Sequence, residues 1–172
     1  MPDRRVVKAN HHAVPLLLDI AESTTSLYDE AGQAYAALFE KLEFGSEDLD
    51  VTGTEFFIGF EDHTPFGFVG LTKIEDCGEL IGPYLYREYL RRDYGDFLAE
   101  YAIDVARTRE LRILIVLVRT SSYKLIDFFA RNDFDVVSDE TDFIKRWRDG
   151  ILEEMEIAEG TSLLVQILGS ED

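Results

Sequence analysis

The stretch from Leu85 to Asp96 carries the residue types best suited to chemistry in this chain. Its pattern predicts a strand leaving a sheet, a short basic loop with Arg91 and Arg92, and Gly95 near the start of a helix. Such a junction points several backbone N–H groups into one space at the positive end of a helix dipole, where a phosphate or pyrophosphate binds. Arg and Gly also occur in strand-to-helix turns for purely structural reasons. Spacing alone therefore leaves both interpretations open.

Other residues of chemical interest fall into weaker patterns. The segment Asp48-x-Asp50-x-Thr52-Gly53 resembles half of a calcium loop, but the twelfth position is Gly59 instead of a bidentate Glu. The three histidines lack metal-ligand spacing, and Cys77 has no His nearby in the sequence to activate its thiol. The sequence therefore predicts no metal site and no cysteine nucleophile.

The charge balance restricts the partners of this protein. The chain has 17 Lys and Arg against 35 Asp and Glu, a formal net charge of −18 at pH 7. Such a surface repels nucleic acid and anionic lipid and favours cationic partners, although a halophile's solvated surface has the same composition. The single cysteine excludes an internal disulfide, and no apolar run is long enough to span a bilayer. We expect a cytoplasmic protein that binds neither nucleic acid nor membranes.

The elements that must position the Leu85–Asp96 junction follow from hydrophobic periodicity. With 172 residues, 46% of them apolar, and no repeat or linker, the chain fits one domain over residues 1–172. Leu111–Val118 is a nearly unbroken apolar run, which is typical of a strand covered on both faces. Strands are predicted at Val6–Ala9, Glu55–Phe60, Phe66–Ile74, Glu79–Tyr86, Leu111–Val118, Phe134–Val137 and Ser162–Leu168.

Helices are predicted between these strands. The segments are Ala13–Phe44, as two helices with a break near Ser23–Ser26; Phe97–Val105; a helix capped by Ser121 or Ser122 and ending at Asn132–Asp133; and Phe143–Ile151. This order of elements predicts an α/β fold with a mixed sheet.

From Gly78 to Phe134 the sequence resembles the GNAT-type N-acetyltransferases. In that family a strand with a splayed edge precedes a pyrophosphate loop of the form Arg/Gln-x-x-Gly-x-Gly/Ala, followed by a helix, a buried strand and a second helix on the cofactor side. The loop corresponds here to Leu90-Arg91-Arg92-Asp93-Tyr94-Gly95, which keeps the last glycine. The family's later Asn-x-x-Ala-x-x-Phe-Tyr, closing with Gly-Phe, corresponds to Ser122–Phe129 and then Asp133-Phe134.

The resemblance implies a GNAT-like mixed, mostly antiparallel sheet flanked by helices, and acetyl-CoA as co-substrate. Main-chain groups of Leu85 and Tyr86 would pair with the pantetheine. A primary amine would attack the thioester directly, with the backbone N–H of Leu85 as oxyanion donor and Glu79 as a base acting directly or through water. The other cofactor-binding residues implied are Arg91, Arg92, Asp93, Tyr94, Gly95, Asp96, Ser122 and Phe129.

Several residues depart from the family pattern, and four of these departures affect the expected chemistry or the helix end. Phe129 stands where members often have a Tyr that protonates the thiolate, and a phenyl ring has no proton to give. Asp93 replaces a glycine and places a negative charge beside the diphosphate, so we expect it to face solvent or to pair with Arg91 or Arg92. Ser122 replaces an amide side chain, and Asp133 replaces the glycine that ends the helix.

The sequence thus predicts an acetyl-CoA-dependent N-acetyltransferase that acts on a primary amine of a small molecule or a protein. The acidic surface favours a cationic acceptor. One alternative is a catalytically weak or inactive module with the same fold that binds acyl-CoA. Another is a fold relative that binds no CoA. The sequence leaves the acceptor's identity open and does not decide between a monomer and a homodimer.

Overall fold

A computed structural model of the chain describes residues 2–28, 54–74, 76–90, 93–137 and 159–169. These residues group into two compact units, Met1–Thr72 with Ile81–Ala102, and Lys73–Leu80 with Ile103–Asp172. The fold is α/β, and its mixed sheet is mostly antiparallel, as predicted. The assignment of residues 1–172 to one domain stays a prediction.

The strands of the first unit follow one another in hydrogen-bonded order. They are β1 (Arg4–Lys8), β2 (Thr54–Glu61), most of β3 (Thr64–Ile74) and the end of β4 (Cys77–Leu85). β1 pairs antiparallel with β2 so that Arg4 lies opposite Glu61. β2 and β3 form a hairpin around Asp62 and His63, where Asp62 has a φ of 55°. An Asp tolerates this left-handed conformation better than most residues.

Two helices cover opposite faces of the strands in the first unit. Helix α1 (Val14–Tyr28) buries apolar residues at helical spacing, including Leu17, against Phe56 of β2. Helix α2 (Tyr94–Thr108) places Tyr101 against Phe57, with 5.4 Å between ring centroids. Because neighbouring residues of a strand point to opposite faces, Phe56 and Phe57 assign α1 and α2 to different sides.

The second unit contains the start of β4, then β5 (Ile113–Arg119), β7 (Thr161–Ile167) and β6 (Asp135–Val136), hydrogen-bonded in that order. β4 and β5 are parallel, from Cys77 opposite Ile113 to Glu79 opposite Ile115. β5 is antiparallel to β7 along its whole length. A core of Cys77, Ile113, Ile115, Leu163 and Val165 lies on one face of these strands.

Helix α3 (Tyr123–Arg131) ends in a tight turn that fixes one predicted site residue. The N–H of Phe134 donates to the carbonyl of Phe129 at 3.0 Å, and the N–H of Asp133 donates to that of Ala130 at 3.2 Å. Asp133 has a φ of 71°, the left-handed conformation that usually favours glycine. These two hydrogen bonds are those of a Schellman motif. The apolar contact of the motif is made by Phe129 and Phe134, whose ring centroids are 5.5 Å apart.

The predicted break in the first helix is wrong. The polar segment Ser23–Ser26 does not break the first helix, because α1 continues through it to Tyr28. The packing of the helix against the sheet just before this segment, at Ile20 and Ala21, outweighs the weaker helix propensity of Ser and Thr. The predicted second helix before Phe44 and the helix at Phe143–Ile151 lie outside the described residues.

Among the residues that the structure describes, no helix combines the length and the apolar character needed to cross a membrane.

Candidate functional site

The end of β4 presents Leu85 to the edge that does not pair with β3. The N–H of Tyr86 donates to the carbonyl of Phe66 on β3 at 3.0 Å. Backbone N–H and C=O groups of consecutive residues alternate between the two edges of a strand, so those of Leu85 point away from β3. On this same edge Pro83 has no N–H to offer. Leu85 is therefore a residue at this end of β4 whose N–H points away from β3.

The main chain of Tyr86 is engaged within the fold. Besides its N–H bond to Phe66, its carbonyl accepts from the N–H of Tyr89 at 2.9 Å, which forms the one-turn helix Arg87–Tyr89. The predicted main-chain pairing with pantetheine therefore suits Leu85 better than Tyr86.

Two side chains after β4 attach the junction to α1. The hydroxyl of Tyr86 donates to Asp19 Oδ2 at 2.5 Å, and Arg87 Nε donates to the carbonyl of Ser23 at 3.1 Å. Burial, and then the Asp19 carboxylate, raise the pKa of the Tyr86 phenol, so it keeps its proton at physiological pH. Sequence reasoning missed these contacts, because nothing in the local pattern shows which residues of α1 lie beside β4.

An aromatic cluster positions the first turn of α2. The ring of Phe66 on β3 lies 4.9 Å from that of Tyr94, 5.9 Å from that of Tyr89 and 6.1 Å from that of Phe97. The Phe66 ring fills the space that a side chain at Gly59 would occupy, because a Cβ there would lie 2.4 Å from it. The start of α2 is thus packed on the sheet through the buried rings of Phe66 and Tyr94.

Asp93 stands at the entrance of α2, and its carboxylate is held by Arg4 of β1. Arg4 Nη1 donates to Asp93 Oδ2 at 3.0 Å and Nη2 donates to Oδ1 at 2.9 Å, which makes a bidentate salt bridge. The same guanidinium lies over the Tyr94 ring at 4.2 Å. The partner of Asp93 is Arg4, a residue that the sequence analysis did not consider. Arg91 and Arg92, the partners we expected, lie outside the described residues.

The first turn of α2 supplies backbone donors. The N–H of Phe97 donates to the carbonyl of Asp93 at 3.0 Å, so the helical hydrogen bonds begin at Asp93. A helix leaves the N–H groups of its first turn without acceptors inside the helix. In α2 this first turn includes Tyr94 and Gly95. Gly95 and Tyr94 are buried.

Glu79 lies at the start of β4, where the strand pairs with β5. Burial raises the pKa of this carboxyl above its usual range. A raised pKa makes the carboxylate a stronger base near neutral pH. The role of Glu79 as a base, acting directly or through water, stays a prediction.

The predicted residues of α3 have a structural setting of their own. Ser122 is the N-cap residue of α3 and is half-buried. Phe129 is 3% exposed and packs on Phe128 and Phe134. Cys77 is buried, and burial, followed by the charges of Asp76 and Glu79, raises its pKa to about 12. Its thiol therefore stays protonated and a poor nucleophile at neutral pH.

The sequence of this chain matches the model of a protein family described as acetyltransferase (GNAT). The match covers residues 17–134, more than half of the chain. The chain belongs to the GNAT family. No curated protein sequence matches it. The match extends from α1 to the residue that closes α3, so it includes the whole junction between β4 and α2.

Solved structures of GNAT proteins share the fold over nearly their whole length. PaiA N-acetyltransferase from Thermoplasma acidophilum, in complex with coenzyme A, is 15% identical with a TM-score of 0.65, covering 96% of this chain and 99% of its own. A GNAT-family acetyltransferase from Staphylococcus aureus is 13% identical with a TM-score of 0.71, covering 97% and 100%. Ribosomal-protein-S18-alanine N-acetyltransferase from Escherichia coli is 12% identical with a TM-score of 0.69, covering 99% and 97%. Identities this low show the fold alone.

Compared with the GNAT pattern, the junction has one feature that the loop motif does not contain. The glycine expected at position 93 is an Asp, and an arginine of the first strand is paired with it. No group of three or more His, Cys, Asp or Glu side chains in the described part of the chain could hold a metal ion.

Proposed function

We propose that this GNAT protein transfers an acetyl group from acetyl-CoA to a primary amine. The observation that carries the proposal is the junction of β4 and α2. It combines an N–H at Leu85 that points away from β3 with the backbone N–H groups of Tyr94 and Gly95 at a helix start. Structures of two similar folds, PaiA and a Salmonella typhimurium acetyltransferase, contain coenzyme A and acetyl-CoA respectively, which supports this choice of co-substrate.

The donor set suits a diphosphate bound to an extended thiol arm. Helix N-termini bind phosphate through backbone N–H groups and the helix dipole. Asp93 would oppose such an anion, but Arg4 neutralises its carboxylate. The described residues at this helix start therefore fit the cofactor's charge.

Acetyl-CoA, when bound, supplies an activated acetyl thioester. The amine nitrogen attacks the thioester carbon, a C–N bond forms and the C–S bond breaks. The N–H of Leu85 donates to the acyl oxygen, where negative charge develops, and this fixed dipole lowers the barrier. The proton that leaves the amine passes through water to Glu79. Because Phe129 has no hydroxyl, water protonates the departing thiolate.

The acceptor we propose is a cationic amine such as a polyamine or a lysine side chain. The chain's net charge of −18 attracts cations, and Asp19 and Glu88 lie exposed close to the end of β4. This electrostatic attraction raises the rate of encounter and weakens with added salt.

Calorimetry with CoA and acetyl-CoA, followed by an assay for released thiol with a panel of amines, tests the proposal. A ligand at 100 times its dissociation constant stabilises a protein by roughly 2.7 kcal/mol, so melting curves provide a second readout. Binding of acetyl-CoA and amine-dependent thiol release are expected. If neither ligand binds or shifts the melting curve, the protein is a fold relative that does not use CoA.

A second function, an acyl-CoA-binding module with little catalysis, is favoured by Phe129, which removes the family's usual acid. Binding of acetyl-CoA without thiol release, for every amine in the panel, would select this alternative. Measured product release in the presence of any amine would exclude it.

A further inference from the structure

We propose that Arg4, on β1, is a positioning residue for the cofactor's diphosphate, because it neutralises Asp93 and holds the entrance of α2 in place. This inference rests on the proposed function. It adds to the family's loop motif a residue from the first strand, which sequence comparison of the loop itself cannot supply.

The geometry of Arg4 is that of a fixed guanidinium. Two parallel N–H donors meet both oxygens of Asp93 at 2.9 and 3.0 Å. Its planar face lies 4.2 Å from the centroid of Tyr94, while Nε is 4.0 Å from Glu61 Oε2. Only a planar guanidinium can donate both hydrogen bonds to Asp93 and also stack on the Tyr94 ring, so Lys is not an equivalent replacement.

The charge of Asp93 is what makes Arg4 necessary. The carboxylate is at the helix entrance where the diphosphate would bind, and Arg4 holds its pKa below the usual range. Asp93 is therefore an anion at neutral pH. Without Arg4, the Asp93 carboxylate would repel a diphosphate. Because the site is exposed to solvent, this repulsion would be strongest at low salt. When Asp93 is paired with Arg4, the two charges cancel, and the N–H groups of Tyr94 and Gly95 meet the diphosphate without an opposing anion.

A double-mutant cycle on CoA affinity tests this role. In calorimetry at low salt, Arg4→Ala is expected to weaken CoA binding at least tenfold. Arg4→Lys keeps the charge without the planar guanidinium and is expected to fall between Arg4→Ala and the native chain. Asp93→Asn or Asp93→Gly alone should hold or raise the affinity, because the carboxylate that Arg4 neutralises is then absent. Arg4→Ala combined with Asp93→Asn should bind within about threefold of Asp93→Asn alone.

Arg5→Ala is the matched control. Arg5 is the next residue of β1 and lies over the Phe60 ring at 5.0 Å, so its removal lowers the net positive charge equally. Its CoA affinity should stay within twofold of the native chain. Circular dichroism and melting curves for all variants separate lost binding from lost folding.

Three results would overturn the inference. One is an Arg4→Ala variant that binds CoA as the native chain does. Another is a double variant that stays as weak as Arg4→Ala, since that would mean that Arg4 only supports β1. If Arg4→Ala does not fold, Asp93→Asn still decides, because a clear loss of affinity there contradicts the charge argument. Failure of the native chain to bind CoA would overturn the proposed function itself. If the native chain binds CoA and all variants of the cycle bind it equally well, only the role of Arg4 is overturned.

Discussion

The hydroxyl of Tyr86 donates a 2.5 Å hydrogen bond to Oδ2 of Asp19, a residue of α1 that precedes it by 67 positions. Tyr86 directly follows Leu85, whose N–H is the donor we assign to the acyl oxygen. A bond at this point limits the movement of the chain as it leaves β4. Arg87 adds a second attachment to the same helix through the carbonyl of Ser23.

Replacing Tyr86 with Phe should therefore lower activity more than stability. The variant loses one partly exposed hydrogen bond, which contributes about 1 kcal/mol to the free energy of unfolding. The turnover number is expected to fall several-fold, with little change in KM, because a misplaced Leu85 N–H weakens transition-state stabilisation. Urea unfolding and steady-state kinetics measure the two effects.

Two controls accompany that variant. Asp19→Asn keeps an acceptor oxygen for the Tyr86 hydroxyl and should preserve both stability and turnover. Tyr123→Phe removes a hydroxyl from a side chain that is 75% exposed and should change neither by a measurable amount. If Tyr86→Phe has the turnover of the native enzyme, the attachment to α1 does not position Leu85.

Glu79→Gln should stabilise the protein at neutral pH and reduce its activity. Burial raises the pKa of Glu79, so between its ordinary value near 4.5 and the raised value the folded chain binds more protons than the unfolded chain. Stability therefore falls as pH rises through that window, and the cost is fully present above it. Gln has no charge to bury. The variant is expected to exceed the native chain in stability at pH 8 and to match it below about pH 4.

Kinetics decide whether Glu79 also accepts the proton. General bases contribute roughly 10²- to 10⁴-fold, so the turnover of Glu79→Gln should fall by about 10²-fold. The acid limb of the native kcat/KM profile should lie above the ordinary pKa of Glu and disappear in the variant. An unchanged pH profile would assign the proton to another acceptor.

The sequence predicts the elements of the junction from local properties. The strand pattern and the helical period indicate a strand end near Leu85 and a helix start near Gly95, whereas the role of Leu85 comes from the family resemblance. The identity of the partner of Asp93 is not local. Arg4 lies 89 residues earlier in the chain, and the pairing depends on β1 lying beside β2 in a specific register. A charge argument predicted that Asp93 needed a cation or solvent, but only the sheet order identifies the cation.

Packing explains the other differences from the sequence prediction. The helix was expected to break at Ser23–Ser26 on propensity, yet residues just before that segment are buried against the sheet and the helix continues. The end of α3 is the reverse case. Asn132 and Asp133 predicted the stop correctly, because Asp tolerates the left-handed conformation that the Schellman turn requires.

Gly95 should be required for CoA binding more than for folding. It lies in the first turn of α2, where the diphosphate must approach the backbone, and it is buried. Gly95→Val is expected to weaken CoA affinity at least tenfold in calorimetry, with a smaller loss of stability. Gly95→Ala should bind with intermediate affinity, because its side chain is smaller and Ala favours helix.

Gly169→Ala is the control for a general effect of replacing glycine, since a Cβ there would be 3.7 Å from Arg112, an ordinary contact. It should leave CoA affinity unchanged. Equal CoA affinity for Gly95→Val and the native chain would place the diphosphate site away from this helix start.

Phe129→Tyr should raise turnover while leaving acetyl-CoA affinity intact. The added hydroxyl restores the acid that many family members use, so it protonates the thiolate directly in place of water. The ring of Phe129 is only 3% exposed and is held against Phe134 by the turn that ends α3. A Tyr in this position therefore keeps the orientation of the native ring. The measurements are thiol release at saturating acetyl-CoA and the pH dependence of turnover.

Phe128→Tyr separates this effect from a general one of adding a hydroxyl to α3. Phe128 is the neighbouring ring, half-buried and 5.1 Å from Phe129, and Arg131 lies over it at 5.5 Å. One residue along a helix turns the side chain by about 100°, so a hydroxyl at position 128 points elsewhere and turnover should not rise. A faster Phe129→Tyr with a new alkaline limb near the pKa of a phenol, absent from Phe128→Tyr, would show that thiolate protonation limits the native enzyme. An unchanged rate in Phe129→Tyr would mean that another step, such as product release, sets the turnover and that water protonates the thiolate fast enough.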